Sequence, residues 1–158
     1  MHPTELVTRQ AEAIVDRLGL TGRCEISVVT VGYDSTALTG EHGHPSTAPF
    51  PAGAYSSWLA VQSGPGPLDD EPPLDDGVHV LVSAADESTR VHLPPDMEDV
   101  EALVLLADRL QDWAVELTHG QALPPCPGHP HPMSAAAVDD SAAWVCPARP
   151  EQVLLPIA

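Results

Sequence analysis

Apolar residues recur at helical spacing in two segments of the chain. Between 4 and 18 they lie three or four residues apart, which predicts an amphipathic helix. Gly19 follows directly and is well placed to end this helix in a left-handed conformation. A longer stripe predicts a second helix over 96–119, with Asp96 as its N-cap and Gly120 after its last turn. Its predicted buried positions are Val100, Leu103, Val104, Ala107, Leu110, Ala114 and Leu117.

Four segments between the two helices are typical of strands. Enrichment in β-branched residues, or alternation of apolar and polar residues, marks 24–33, 55–61, 78–84 and 89–93. The last two flank a short segment, "ADES", and predict a hairpin with a loop of roughly three to five residues. We therefore expect an α+β fold: an N-terminal helix, a four-stranded mainly antiparallel sheet, a long C-terminal helix and then a small Cys/His hairpin.

The chain divides into two predicted parts. Its 158 residues suit one compact domain with a small appendage, which we place at 1–120 and 121–158 respectively. Within the first part, a segment at about 63–77 is rich in proline and acidic residues. Such a segment buries too little apolar surface to order itself, so we expect a mobile loop there.

Net charge limits the classes of partner. The chain has 23 acidic residues against six arginines and no lysine, and its formal net charge is −17. Such a surface repels phosphate groups, which argues against binding nucleic acid or an anionic membrane, whereas a basic protein or a metal ion is compatible with it. No apolar run approaches the roughly 20 residues of a membrane helix, and no signal peptide is evident. We expect a cytoplasmic protein, in which cysteines stay reduced and favour metal binding over disulfides.

The strongest chemical signal is "PPCPGHPHPMSAAAVDDSAAWVCP" near the end of the chain. Cys126 and His129 have the C-x-x-H spacing of a metal-binding turn, and the intervening Pro-Gly favours that turn. His131 lies two residues further on, and a hairpin turning at "VDDS" would return Cys146 to Cys126. The four side chains form a chemically reasonable tetrahedral zinc set.

The four-ligand zinc site is not the sole interpretation of this segment. A zinc ribbon would carry a second pair of ligands, yet Arg149 occupies the position of the missing one. Both histidines would have to turn inward although a single proline separates them. If only one does, a three-ligand zinc site with an open position results, as in catalytic zinc sites. A hairpin that no longer binds metal and a Cys126–Cys146 disulfide are also compatible with the pattern.

The same segment carries a resemblance. The stretch "DRLQDWAVELTHGQALPPCPGHPHPMS…AWVCP" resembles the C-terminal part of small uncharacterised actinobacterial proteins with a CP-x-HP-HP turn and a closing W-x-CP strand. It covers the last third of the chain and implies that Cys126, His129, His131, Trp144 and Cys146 form one unit. It implies no activity. Arginine without lysine, with abundant Ala, Pro and Gly, also fits the GC-rich genomes of actinobacteria.

Four further histidines are weaker candidates. His42 and His44 form an H-x-H pair in a loop, which is more typical of a solvated segment than of a metal site. His79 and His92 lie on neighbouring predicted strands and could face each other across a hairpin, where packed or solvated side chains are the simpler explanation.

The remaining candidates are structural or solvating. Cys24, at the start of a strand, fits a small buried apolar residue. The acidic loop lacks the spacing and the glycine of an EF-hand and fits a solvating linker; its members are Asp69, Asp70, Glu71, Asp75 and Asp76.

These patterns favour a non-enzymatic accessory protein, adaptor- or chaperone-like, that binds another protein and has a zinc-stabilised hairpin. The partner could be basic, and a homodimer is compatible with the sequence. The rival hypotheses are a zinc-dependent hydrolase with an open three-ligand site, for which no general base stands out, and an acidic mimic of nucleic acid. No dinucleotide-binding, P-loop, nucleophile-elbow or H-E-x-x-H motif is present.

Overall fold

Two helices and six strands make up the part of the chain that the computed structural model describes, residues 3–32 and 74–158. In chain order they are α1 (Pro3–Arg17), β1 (Glu25–Val31), β2 (Gly77–Ala84), β3 (Glu87–Leu93), α2 (Asp99–Leu117), β4 (Ser134–Val138), β5 (Ser141–Cys146) and β6 (Arg149–Pro156). Met1–Val31 and Asp76–Ala158 belong to one compact unit.

The expected four-stranded sheet is wrong. The described strands form two separate three-stranded antiparallel sheets, in the orders β1-β2-β3 and β4-β5-β6. The expected ending on a long C-terminal helix and a small hairpin is also wrong, because three strands follow α2. The fold is nevertheless mixed, with helices and antiparallel sheets.

The first sheet is a simple meander whose apolar face is buried. β1 pairs with β2 from Glu25↔Ser83 to Val31↔Gly77, so these two strands are direct neighbours along their whole length. β2 and β3 are joined by a two-residue turn at Ala85–Asp86, shorter than the predicted loop. Because side chains alternate along a strand, one face of the sheet is apolar. The buried residues on that face include Val80, Val82, Val91 and Leu93.

Helix α1 packs against this sheet with the face that its periodicity predicts. Ile14 and Leu18 are fully buried, whereas Leu6, at the end of the same stripe, is 37% exposed. Gly19 adopts φ +72° and ends the helix as expected, because glycine enters the left-handed region without steric cost.

Helix α2 is the element that both sheets share. It contacts α1 and β3 on one side and β4 and β5 on the other. It begins at Asp99 with Glu98 at the N-cap, so the prediction of Asp96 as N-cap is wrong. Its buried residues are Leu106, Ala107, Leu110, Gln111, Trp113 and Ala114.

The second sheet is built from the tail of the chain and packs on α2. Asp139 and Asp140, both at positive φ, form the turn between β4 and β5, as the "VDDS" pattern predicts. Trp144 in β5 is fully buried, and it joins the same hydrophobic core as Ile14 and Leu110. One continuous core therefore runs from the first sheet through α2 to the second sheet.

Some predicted features lie outside the described residues. They are the strand at 55–61, the histidines at 42 and 44, and most of the acidic loop. Among the described residues, no helix is long and apolar enough to cross a membrane.

Candidate metal centre

A tight turn places the first two candidate ligands. The backbone N–H of His129 donates to the carbonyl oxygen of Cys126 over 3.1 Å, which closes a four-residue turn. Pro127 fits the second position of this turn because its φ is fixed, and Gly128 at φ +76° fits the third. The Pro-Gly pair thus directs the Cys126 and His129 side chains to the same side.

A short proline-rich hairpin extends this turn; we call residues 124–133 the ligand loop. Its arms are joined by two backbone hydrogen bonds, from Met133 N–H to the Pro124 oxygen over 2.8 Å and from Cys126 N–H to the His131 oxygen over 3.3 Å. Pro125 and Pro132 form an isolated antiparallel bridge between the arms. The loop carries three of the four candidate ligands.

The fourth candidate ligand comes from the second sheet. Cys146 ends β5 on the same face as Trp144 and is 1% exposed. It pairs with Arg149 across the tight turn into β6, and Arg149 is exposed. The turn between β5 and β6 therefore offers a single candidate ligand, Cys146. His131 of the ligand loop is the fourth candidate, in place of the second ligand that a zinc ribbon would carry in this turn.

The four side chains meet at one point. Their ligand atoms all lie within 4.8 Å of one another, so this group could hold a metal ion. His129 Nδ1 lies 3.4 Å from Cys126 Sγ and 3.3 Å from Cys146 Sγ. A tetrahedral zinc ion with ordinary bond lengths would place sulfur and nitrogen ligands roughly 3.6 Å apart. The observed spacing is therefore already close to that of a metal-bound site, and all three described cysteines are free of disulfides.

His131 can join the site because it uses a different ring nitrogen from His129. Its Nδ1 lies 2.9 Å from the carbonyl oxygen of Pro132, which requires Nδ1 to carry the proton and donate. In the neutral ring, Nε2 is then the acceptor nitrogen, and it is buried with no hydrogen-bond partner. The two imidazole rings stack with centroids 4.9 Å apart, so both turn inward despite the single proline between them. A buried ring nitrogen with a free lone pair fits a metal ligand held in orientation by its other nitrogen.

The electrostatics of the thiol pair also favour a cation. Burial raises the pKa of the Cys126 thiol, and the hydrogen bond and charge of Cys146 raise it further. In the absence of a cation this thiol keeps its proton near neutral pH. A divalent cation would supply the positive charge that stabilises neighbouring thiolates.

A buried glutamine in α2 holds the ligand loop, and the sequence patterns do not reveal it. Gln111 Nε2 donates to the Leu123 carbonyl oxygen over 2.7 Å and to the Met133 carbonyl oxygen over 2.5 Å. Leu123 directly precedes the ligand loop, and Met133 is its last residue. Gln111 is 7% exposed and lies on the predicted apolar stripe, four residues after Ala107 and three before Ala114. The one hint in the sequence is a polar residue within this otherwise apolar stripe.

Of the other candidate histidines, His79 and His92 lie within the described residues, and neither belongs to this group. His79 and His92 face each other across β2 and β3, with stacked rings 4.6 Å apart. His92 Nε2 lies 2.9 Å from the carbonyl oxygen of Asp76. Cys24 is half-buried, and burial raises the pKa of its thiol although the Arg23 charge opposes the shift. Within residues 3–32 and 74–158, the tail cluster is the one group of three or more side chains suited to a metal.

Comparisons with protein-family models, with curated proteins and with solved structures find no match to this chain. The resemblance of the tail to small actinobacterial proteins therefore stays a prediction.

Proposed function

We propose that this chain binds one zinc ion through Cys126, His129, His131 and Cys146. The observation that carries the proposal is the buried, unpartnered Nε2 of His131, within a group whose four ligand atoms lie within 4.8 Å of one another. Two thiolates and two imidazoles suit zinc, whereas Mg²⁺ and Ca²⁺ prefer oxygen ligands. The chemistry of the donors thus selects zinc among the common divalent ions.

The role of this zinc is structural. Four protein ligands complete a tetrahedral shell, whereas catalytic zinc keeps one position open for water or substrate. The inward orientation of both histidines supports the four-ligand arrangement over the hydrolase with three ligands. The ion would join the ligand loop to the end of β5, two segments that are separated along the chain by β4 and its turn.

The protein as a whole is a non-enzymatic accessory protein that binds another protein. Its charge favours a basic partner, since 23 acidic residues face six arginines. The solvent side of α2 supports this, because Asp108, Asp112 and Glu116 recur every four residues and are all exposed. The partner would be selected by this surface, and the zinc would keep α2 and the second sheet in place.

Metal content is the direct test, on protein purified without a histidine tag or chelator. We expect about one zinc per chain, with two thiols protected from a thiol reagent and all three reactive after chelation. Cobalt substitution should give thiolate-to-cobalt charge-transfer absorption. Cys126→Ser and Cys146→Ser should each lose most of it, whereas Cys24→Ser, a cysteine outside the group, should keep it.

The number of ligands separates the structural site from its hydrolytic rival. Removing His131 as His131→Ala should weaken zinc binding by one to several orders of magnitude if four ligands bind. Unchanged affinity, together with hydrolysis of ester or amide substrates by the zinc-loaded protein, would favour the open three-ligand site. Purified protein without metal, whose three thiols all react and which binds no added zinc or cobalt, would overturn the proposal.

A further inference from the structure

The ligand loop has few means of ordering itself. Five of its ten residues are proline, in the sequence "PPCPGHPHPM" from 124 to 133. Proline has no N–H, so these positions cannot donate to a strand ladder. Two backbone hydrogen bonds join the arms, and one of them is long at 3.3 Å. The positions of the three ligands in the loop therefore depend on contacts from outside it.

Cys126 and Met133 of the loop pack in the hydrophobic core, and the side-chain amide of Gln111 provides an external hydrogen-bonding contact. Its NH₂ group has two hydrogens, and each has its own acceptor, the carbonyl oxygens of Leu123 and Met133. One acceptor directly precedes the loop and the other is in its last residue, so one side chain fixes the separation of its two ends. Gln111 is buried by α2 and its surroundings, which restricts its rotamers.

We infer that Gln111 is a positioning residue of the metal site: it holds the ligand loop in the binding geometry before the ion arrives. This inference rests on the proposed function. Without the two hydrogen bonds, the loop would have to be ordered when the metal binds, and that entropy would subtract from affinity. Both acceptors of Gln111 are carbonyl oxygens of residues outside the ligand set, so the ligand set stays the same when Gln111 is replaced.

The test compares zinc affinity among matched variants by competition with a chromophoric chelator at 25 °C. Gln111→Met keeps the length and volume of the side chain and removes both donors. We expect zinc binding about tenfold weaker, the lower end of the range found for residues that orient metal ligands. At saturation its cobalt charge-transfer intensity should equal that of the wild type, because no ligand is lost.

Two controls separate positioning from general destabilisation. Gln121→Met makes the same replacement at an exposed glutamine and should bind zinc as the wild type does. Val82→Ala creates a cavity in the first sheet, away from the loop, and should lower the melting temperature while leaving zinc affinity within about twofold of wild type. Gln111→Asn, whose shorter amide can reach at most one carbonyl, should lie between wild type and Gln111→Met and serves if the Met variant fails to fold.

The outcomes distinguish this inference from the proposed function. Wild-type protein that binds no zinc would overturn both. Wild-type protein that binds zinc, with Gln111→Met and Gln111→Asn binding equally well, would overturn the positioning role alone. So would an affinity loss in Val82→Ala as large as that in Gln111→Met, because the effect would then follow stability rather than contact with the loop.

Discussion

Chelation of the metal should lower the stability of both sheets together. The unfolded chain holds no preformed site, so the free energy of zinc binding adds to the free energy of folding. At free zinc 100-fold above its dissociation constant, the gain is about 2.7 kcal/mol. For a chain of 158 residues this corresponds to a melting temperature roughly 5–11 °C higher than in chelator.

The structure predicts that this shift is shared by the whole described unit. Cys126 and Cys146 belong to the same buried cluster as Trp144 in the second sheet and Val82 in the first. Unfolding of the second sheet would expose one side of α2 and remove support from the rest of the core. We therefore expect a single cooperative transition that moves as one when zinc is added.

Thermal unfolding followed by two probes would check this. Far-UV circular dichroism reports both sheets and both helices, whereas tryptophan fluorescence reports Trp113 in α2 and Trp144 in β5. A Trp58→Phe background removes the third tryptophan, which lies outside the described residues. Two separate transitions, with zinc shifting the fluorescence one alone, would refute the shared-core argument. Zinc bound at one per chain without any shift in melting temperature would refute the linkage itself.

Three further predictions concern turns, glycines and pH. Replacing Asp139 with Asn and Asp140 with Gly should raise the free energy of unfolding in urea by about 1 kcal/mol. Both residues have positive φ, the conformation that Asn-Gly favours in a two-residue turn. A lower free energy of unfolding would contradict this. Gly77→Ala should cost about 3 kcal/mol or more, since φ is +139° and a Cβ would clash with the Leu93 carbonyl oxygen, whereas Gly19→Ala, with open space around it, should cost about 1 kcal/mol. Equal losses of stability in Gly77→Ala and Gly19→Ala, measured in the same assay, would contradict the clash. Zinc affinity, measured by calorimetry, should fall as the pH is lowered from 8 to about 6. Protons compete with the metal for the Cys126 thiolate, and burial raises the pKa of this thiol and so favours its protonated form. Affinity independent of pH would exclude thiolate binding.

The sequence predicts local structure well where one face of an element decides its packing. α1 follows its stripe, and the cap at Gly19 follows from the freedom of glycine. α2 does not follow a single stripe: Leu106 and Trp113 are buried although they lie off the predicted face. The reason is tertiary, because this helix is covered on two sides and a one-sided pattern describes only one of them.

The third strand of the second sheet, β6, cannot be predicted from local pattern for a related reason. Pro150 and Pro156 argue against a strand in the last residues, since proline is confined to edge strands, bulges and strand ends. β6 satisfies this restriction by lying at the edge of its sheet, with irregular register near Val145. Pairing with β5, rather than the sequence of β6 itself, decides its structure.

The candidate ligands could be named from the sequence because three of them lie within six residues and turn chemistry relates them. The choice of nitrogen in each histidine could not, because it depends on where the Pro132 oxygen lies relative to His131. Nor could Gln111, whose two acceptors are 12 and 22 residues further along the chain. The identity of the ligands can therefore be predicted from local sequence, whereas their orientation depends on tertiary structure.

The two hydrogen bonds of Gln111 also restrict the length of α2, because they require this side chain to face the ligand loop. Inserting or deleting one residue between Asp99 and Leu110 would rotate the rest of the helix by roughly 100°. Gln111 would then lose its hydrogen bonds to Leu123 and Met133, and Leu110 would at the same time turn away from the core. Changes of length should be tolerated in the turn at Ala85–Asp86 but not in the first three turns of this helix. The number of residues in the first three turns of α2 thus fixes where the metal centre lies relative to the first sheet, because this one helix contacts both.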